Sequence, residues 1–183
     1  MGLGRSVMNE FGIRNQVNDG LIKEMIELDK LVFKDDDIGD FDKCKEWIKC
    51  NPDIYTILML DNKVIGYINF MPITDVAYQS IKQGKLKDYE LTKNEIMTYS
   101  SAKPLKCLFT SIVIHPEHQT GLELAKLWKG FFNKLKSLKL TISSVIMDCV
   151  TAIGEKCAKN YLGAKFITNS HNGKIYEGSI KGL

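Results

Sequence analysis

The run Cys107-Leu108-Phe109-Thr110-Ser111-Ile112-Val113-Ile114 is almost continuously apolar, breaks at His115-Pro116, and passes through Glu117-His118-Gln119-Thr120-Gly121 into an amphipathic stretch from Leu122. A strand of that composition belongs at the centre of a sheet covered on both faces. Layers of helix are therefore expected on its faces. The strand also feeds, through a short loop, into a helix N-terminus. First-turn N–H groups there lack intrahelical acceptors and the helix dipole favours negative charge, so the passage is an anion site and points to a phosphate-bearing cofactor.

The rest of the chain supplies those layers. Leu21, Ile22, Met25, Ile26, Leu28, Leu31 and Val32 recur at helical spacing after Asn18-Asp19-Gly20, and Phe41, Cys44, Trp47 and Ile48 mark a second helix to about Lys49. Apolar, β-branched runs at 55–60 and 64–71, separated by Asp61-Asn62-Lys63, predict a hairpin. The mixed stretch 74–104, with Thr92 and Glu95 as a capping box, predicts an excursion of short helices and loop of the kind that borders binding sites. A helix over 122–138 is expected to bury Leu122, Ala125, Trp128, Phe132 and Leu135, with Leu124, Phe131 and Leu138 in support. Then follow a strand at 142–150, a helix at 151–162 and a hairpin at 165–180 turning at His171-Asn172-Gly173, with a short first strand at 12–15. The expected fold class is α/β (α+β): a single mixed, largely antiparallel sheet flanked by helices, in one domain spanning 1–183, with 1–7 an extension.

Composition limits the function classes. At 183 residues, 44% hydrophobic and 26% charged, the chain can bury a real core. A net charge of +3 without a basic stripe argues against nucleic acid, and Lys126, Lys129, Lys134, Lys136 and Lys139 read as a solvated helix face. No apolar run reaches the roughly 18 residues of a membrane span. The five cysteines include no C-x-x-C pair and read as reduced, so a cytoplasmic protein is expected. Met1-Gly2-Leu3-Gly4-Arg5-Ser6 fits a myristoylation pattern that short Gly/Ser leaders also produce by chance. Asp35-Asp36-Asp37 reads as a connector, and His115 and His118 as loop histidines without a third ligand, so no metal is expected.

Ile112-Val113-Ile114-His115-Pro116-Glu117-His118-Gln119 resembles the central strand, proline and Gln/Arg that open the pyrophosphate loop of the GCN5-related N-acetyltransferases (the GNAT superfamily), and the element order resembles that family along nearly the whole chain. The resemblance implies acetyl-CoA (CoA) as cofactor. It implies that Ile112, Val113 and Ile114 line the pantetheine arm, and that Gln119, Thr120, Gly121, Leu122, Glu123 and Leu124 cradle the phosphates. The family's Gln/Arg-x-x-Gly-x-Gly/Ala is altered here, with leucine at both small positions; a loop one residue shorter brings Gly121 and Ala125 into use. Ala158-Lys159-Asn160-Tyr161-Leu162-Gly163 is similar to the helix end whose tyrosine protonates the departing thiolate. Aligning the glycine places Lys159 there; aligning the tyrosine makes Tyr161 the catalytic acid, with Tyr176 as substitute and a packing tyrosine as the plainer reading.

The implied activity is transfer of acetyl from the thioester to the primary amine of a small molecule or peptide. The alternative is a catalytically degenerate acyl-CoA-binding regulatory or interaction domain. An ammonium must lose a proton before it attacks. Asp88, Glu90, Asp148, His115 and His118 are the candidates for that base, and Cys149 reads as a buried strand cysteine. The acidic and tyrosyl residues of the excursion lean toward a cationic small molecule. Oligomeric state is open, a homodimer included.

Overall fold

The computed structural model describes residues 10–34, 37–119 and 121–180; the expected extension, the myristoylation pattern and Thr120 lie outside them. The sheet contains β1 (Phe11–Arg14), β2 (Tyr55–Leu60), β3 (Lys63–Pro72), β4 (Leu105–Ile114), β5 (Ile142–Cys149), β6 (Lys165–Asn169) and β7 (Lys174–Gly178). They lie in the order β1-β2-β3-β4-β5-β7-β6. Every neighbouring pair is antiparallel except β4 with β5, which are parallel. A parallel pair needs a crossover, and α4 (Leu122–Ser137) provides it.

Two cores result. On one face α1 (Asp19–Val32), α2 (Phe41–Cys50) and α3 (Asp75–Lys82) pack through Leu21, Met25, Trp47 and Tyr78 against Ile57, Leu108 and Ile146. On the other, α4 and α5 (Ala152–Leu162) cover Ile68, Phe70, Phe109 and Val145. Local chemistry sets the boundaries. The side chains of Asn18, Asp40, Thr74 and Thr151 accept from first-turn backbone N–H groups, capping α1, α2, α3 and α5. At the β2–β3 turn, Asp61 and Asn62 take φ of +48° and +64°, the paired positive φ that matches the strands' right-handed twist. The excursion becomes α3, a 3-10 turn at Asp88–Glu90 and a strap tied down by Lys43, Trp47 and Asn51 donating to the carbonyls of Leu91 and Met97. Thr92 and Glu95 pair as expected, closing a turn rather than starting an α-helix.

Helix α4 departs from the sequence reading in two ways. Leu122 is 60% exposed, and the buried stripe is Leu127, Trp128, Phe131, Lys134 and Leu135. Lys134 is not on a solvated face; it is buried, and its Nζ donates to the carbonyls of Asp53 (2.8 Å) and Tyr55 (2.9 Å). Strand β1 pairs β2 only over Ile57–Leu60, so those carbonyls lie beyond its end and the lysine stands in for the missing strand. Burial lowers the Lys134 pKa to about 7. Helical spacing alone cannot show that a lysine stem has partners waiting behind the helix.

Candidate active site

Strands β4 and β5 run together only part of their length. Their pairing goes from Leu105 opposite Ile142 to Phe109 opposite Met147 and stops, whereas β4 stays paired with β3 as far as Ile114 opposite Gly66. The parting begins at a bulge: Asn69 faces Ser111 and Phe70 faces Phe109, leaving Thr110 as an extra residue in β4. A bulge sharpens the local twist, which turns the end of β4 away from β5 and leaves one edge of 110–114 without a strand partner.

A cavity of about 430 Å³ fills this fork. That volume is in the range of small-molecule sites. Phe109, Thr110, Ser111 and Ile112 form one wall, and Met147, Asp148, Cys149 and Val150 the other. Trp128 of α4 and Gly154, Cys157 and Ala158 of α5 close it on one side of the sheet. On the other side stand Asp29 of α1, Tyr55, Tyr67 and Asn69 of β2 and β3, and Asp88 and Tyr89 of the excursion.

Strand alternation decides which polar groups meet on that second side. Ile68 and Phe70 belong to the core beneath α4, so Asn69 between them faces α1. Met147 and Cys149 likewise belong to the α4–α5 core, which turns Asp148 toward the α1 side. Asn69 is 2% exposed and its Oδ1 has no partner; the Thr110 hydroxyl, also lining the cavity, has none either. Buried polar groups are normally satisfied, so both atoms are exceptions among the described residues.

The carboxylates are held in two groups. Asp29 accepts the Tyr67 hydroxyl at Oδ1 (2.5 Å) and the Gly39 amide at Oδ2 (3.2 Å). Burial, partly offset by these bonds, raises its pKa to about 6. Asp88 feels the charges of Asp148 and Asp37, and Asp148 that of Asp37. Burial first, then those neighbours, pushes Asp88 up to about 6, and burial raises Asp148, whose Oδ1 accepts the Ser170 hydroxyl at 2.7 Å. Burial also pushes the Cys149 thiol up to about 12 and raises the Cys157 thiol, so both are protonated thiols and poor nucleophiles. All five cysteines are free.

Beyond Ile114 the chain forms a 3-10 turn at Pro116–His118, and Gln119 Nε2 donates back to the Ile114 carbonyl at 3.2 Å. Gly121 precedes α4 with φ of +94° and no side-chain cap on the helix, and a Cβ there would meet nothing within 4 Å. The first-turn N–H groups of α4 thus have no side-chain acceptor from the residue that precedes the helix.

Of the residues singled out from the sequence, Ile112, Asp88 and Asp148 line the cavity. Val113 and Ile114 are buried in the two opposite cores, and their contribution to the fork is the backbone of the open edge. Leu124 packs against the α4 core, Glu123 lies in the first turn of α4, and Leu122 is exposed. Tyr161 is 38% exposed and stacks on Trp128 with ring centroids 4.4 Å apart, one layer outside the cavity wall. Tyr176 is buried and donates to Glu155 at 2.6 Å. His115 accepts the Glu117 amide, and no cluster suited to a metal occurs among the described residues. Asp29, Tyr67, Asn69 and Thr110 were missed. The one available signal was Asp29 standing four residues after Met25 on the apolar stripe of α1.

The sequence matches no family model and no curated protein. Solved structures do match. The loading GNATL domain of CurA from Lyngbya majuscula is 13% identical with a TM-score of 0.62, covering 94% of this chain and 99% of that one. Ard1 from Thermoplasma volcanium is 11% identical with a TM-score of 0.60, covering 91% and 94%. The PaiA N-acetyltransferase from Thermoplasma acidophilum, solved with coenzyme A, is 11% identical with a TM-score of 0.59, covering 93% and 99%. At such identities the likeness speaks to architecture, and the chain is built on the GCN5-related N-acetyltransferase fold.

Proposed function

We propose that this protein is a CoA-dependent N-acetyltransferase. The observation that carries the reading is the fork itself, where a bulge frees the edge of β4, the strand whose chain goes on to an uncapped helix N-terminus. An extended arm with alternating amides adds to an open strand edge through backbone hydrogen bonds, and a pyrophosphate suits first-turn N–H groups. The backbone of Ile112, Val113 and Ile114 would take the pantetheine, and Gln119 to Leu124, turned by Gly121, the phosphates. The Thr110 hydroxyl, unpartnered in the cavity wall, adds a polar contact at the base of the fork.

Acetyl-CoA supplies a thioester, whose carbonyl carbon accepts an amine. The protein's part is to bring an uncharged nitrogen to it. Asp148 stands on β5 beside the fork, on the α1 side, with Ser170 holding one oxygen. It serves as the proton acceptor for the incoming ammonium, and a carboxylate raised by burial is better suited to that work than a solvated one. Attack forms the C–N bond, C–S cleavage expels the thiolate, and the second proton lost from nitrogen goes to sulfur. A tyrosine acid is not needed for that balance, which fits the position of Tyr161 outside the cavity wall.

Free-thiol release from acetyl-CoA with a panel of amines tests the reading. Amine-dependent thiol is expected, with kcat reduced about 10²- to 10⁴-fold in Asp148→Asn. Tight CoA binding without thiol release from any amine would instead favour the non-catalytic binding domain.

A further inference from the structure

Asp148 is held from outside its own strand. Across β5 and β7, Asp148 pairs with Ile175 and Cys149 with Lys174, so the turn that precedes β7 lies over the end of β5 where the fork opens. That turn is tied to itself: the Ser170 amide donates to the Gly173 carbonyl (3.0 Å) and the Gly173 amide to Ser170 Oγ (2.9 Å). The single hydrogen on Oγ then goes to Asp148 Oδ1 at 2.7 Å. His171 and Asn172, between the two, line the cavity.

The closeness of the turn depends on a glycine. A Cβ at Gly173 would stand 2.6 Å from the Cys149 carbonyl oxygen and 2.7 Å from Asp148 Oδ1. Backbone cannot yield by that much, so any side chain there would lift the turn away from β5 and stretch the Ser170 bond. The bonds also divide the carboxylate. Oδ1 accepts from Ser170, and Oδ2 accepts from none of the described residues. We infer that the β6–β7 turn positions the base of the reaction: Ser170 anchors Oδ1, Gly173 sets the distance, and Oδ2 is left to take the proton of the incoming ammonium. Ser170 and Gly173 are thus positioning residues that act through Asp148. A directed bond to one oxygen removes the carboxylate's rotational freedom, and proton transfer timed with C–N bond formation needs that fixed geometry.

The inference rests on the acetyltransferase reading with Asp148 as the base, and the experiment separates the two. Thiol release from acetyl-CoA is compared for butylamine, an ammonium at neutral pH, and methoxyamine, which is uncharged there. Ser170→Ala is expected to lower kcat for butylamine about 10- to 100-fold with KM for acetyl-CoA unchanged, and to leave methoxyamine within about threefold. Ser170→Thr, which keeps the hydroxyl, should restore the rate, and Gly173→Ala should repeat the loss. Removing a donor from a carboxylate raises its pKa, so the acid limb of the kcat/KM profile should move to higher pH in Ser170→Ala. Asp37, Lys87, Asp88 and His171, which line the same cavity, are the same in every variant. Carbon NMR titration of the Asp148 carboxyl reads that shift without turnover. Unchanged kcat or an unmoved titration in Ser170→Ala, beside a butylamine rate that falls in Asp148→Asn, would overturn the inference and leave the acetyltransferase standing. Equal losses for the two amines would overturn it as well, because a merely structural role does not tell them apart. Absence of acetyl-CoA binding would overturn the acetyltransferase reading. If neither amine reacts, the NMR comparison decides: an upward shift in Ser170→Ala supports the hold of the turn on the carboxyl, and no shift overturns it. If Gly173→Ala does not fold, the two Ser170 variants decide alone.

Discussion

Single residues carry most of the chemistry, and two of them look different in the structure from what their spacing implies. Tyr161 matches a helix-end tyrosine in sequence, yet its ring covers Trp128 and its hydroxyl is not part of the cavity wall. Tyr161→Phe is expected to keep kcat within about threefold in the thiol-release assay; a drop of about 10²-fold or more would make it the acid after all. Lys134 is the second. Lys134→Met removes the donor from two buried carbonyls, Asp53 and Tyr55. The urea midpoint should fall by the equivalent of about 1–3 kcal/mol. Its folded-state pKa, about 7, is below its unfolded value. The folded protein thus holds fewer protons than the unfolded chain between there and the ordinary lysine range, so this residue's contribution to stability rises with pH above neutrality. Lys134→Met should flatten that rise, by at most about 1.4 kcal/mol per pH unit.

Elements were readable wherever local pattern decides them. Asp61-Asn62 marked the β2–β3 turn, Asn18 and Thr151 sit at helix caps, and the apolar run at 107–114 is β4 between two cores. The fork was not readable in this way. It depends on a bulge at Thr110 and on where β5 stops pairing, and both are properties of two strands rather than of either sequence. The α1 side of the cavity was legible only in part: Asp88 and Asp148 stood out as carboxylates, but Asn69 is hidden because its orientation follows from which face β3 turns inward. The turn before α4 bears directly on the proposed cofactor site. Gly121→Val places a β-branched residue at φ of +94°, where open space does not relieve the backbone. Strain of about 1–3 kcal/mol should weaken CoA binding about tenfold or more, without lowering the thermal midpoint of the free protein beyond that strain.

At the scale of the whole molecule, the fork opens toward both faces of the sheet, with Trp128 and α5 on one side and α1 and the excursion on the other. Charge follows the same division, with aspartates gathered on the α1 side. Asp29 and Asp88, raised to about 6, bind protons more readily folded than unfolded, so their contribution to stability is present at low pH and is lost as pH rises through that value. Asp29→Asn should therefore flatten the part of the thermal-midpoint profile that falls between about pH 5 and pH 7.

The most direct test is calorimetric titration of acetyl-CoA into the natural protein and into Gly121→Val. The fork and the uncapped helix predict a single site of roughly micromolar affinity, about −8 kcal/mol, weakened about tenfold or more by the substitution. No heat at millimolar acetyl-CoA, or equal affinity in the two proteins, would contradict the placement of the cofactor between β4, β5 and the start of α4.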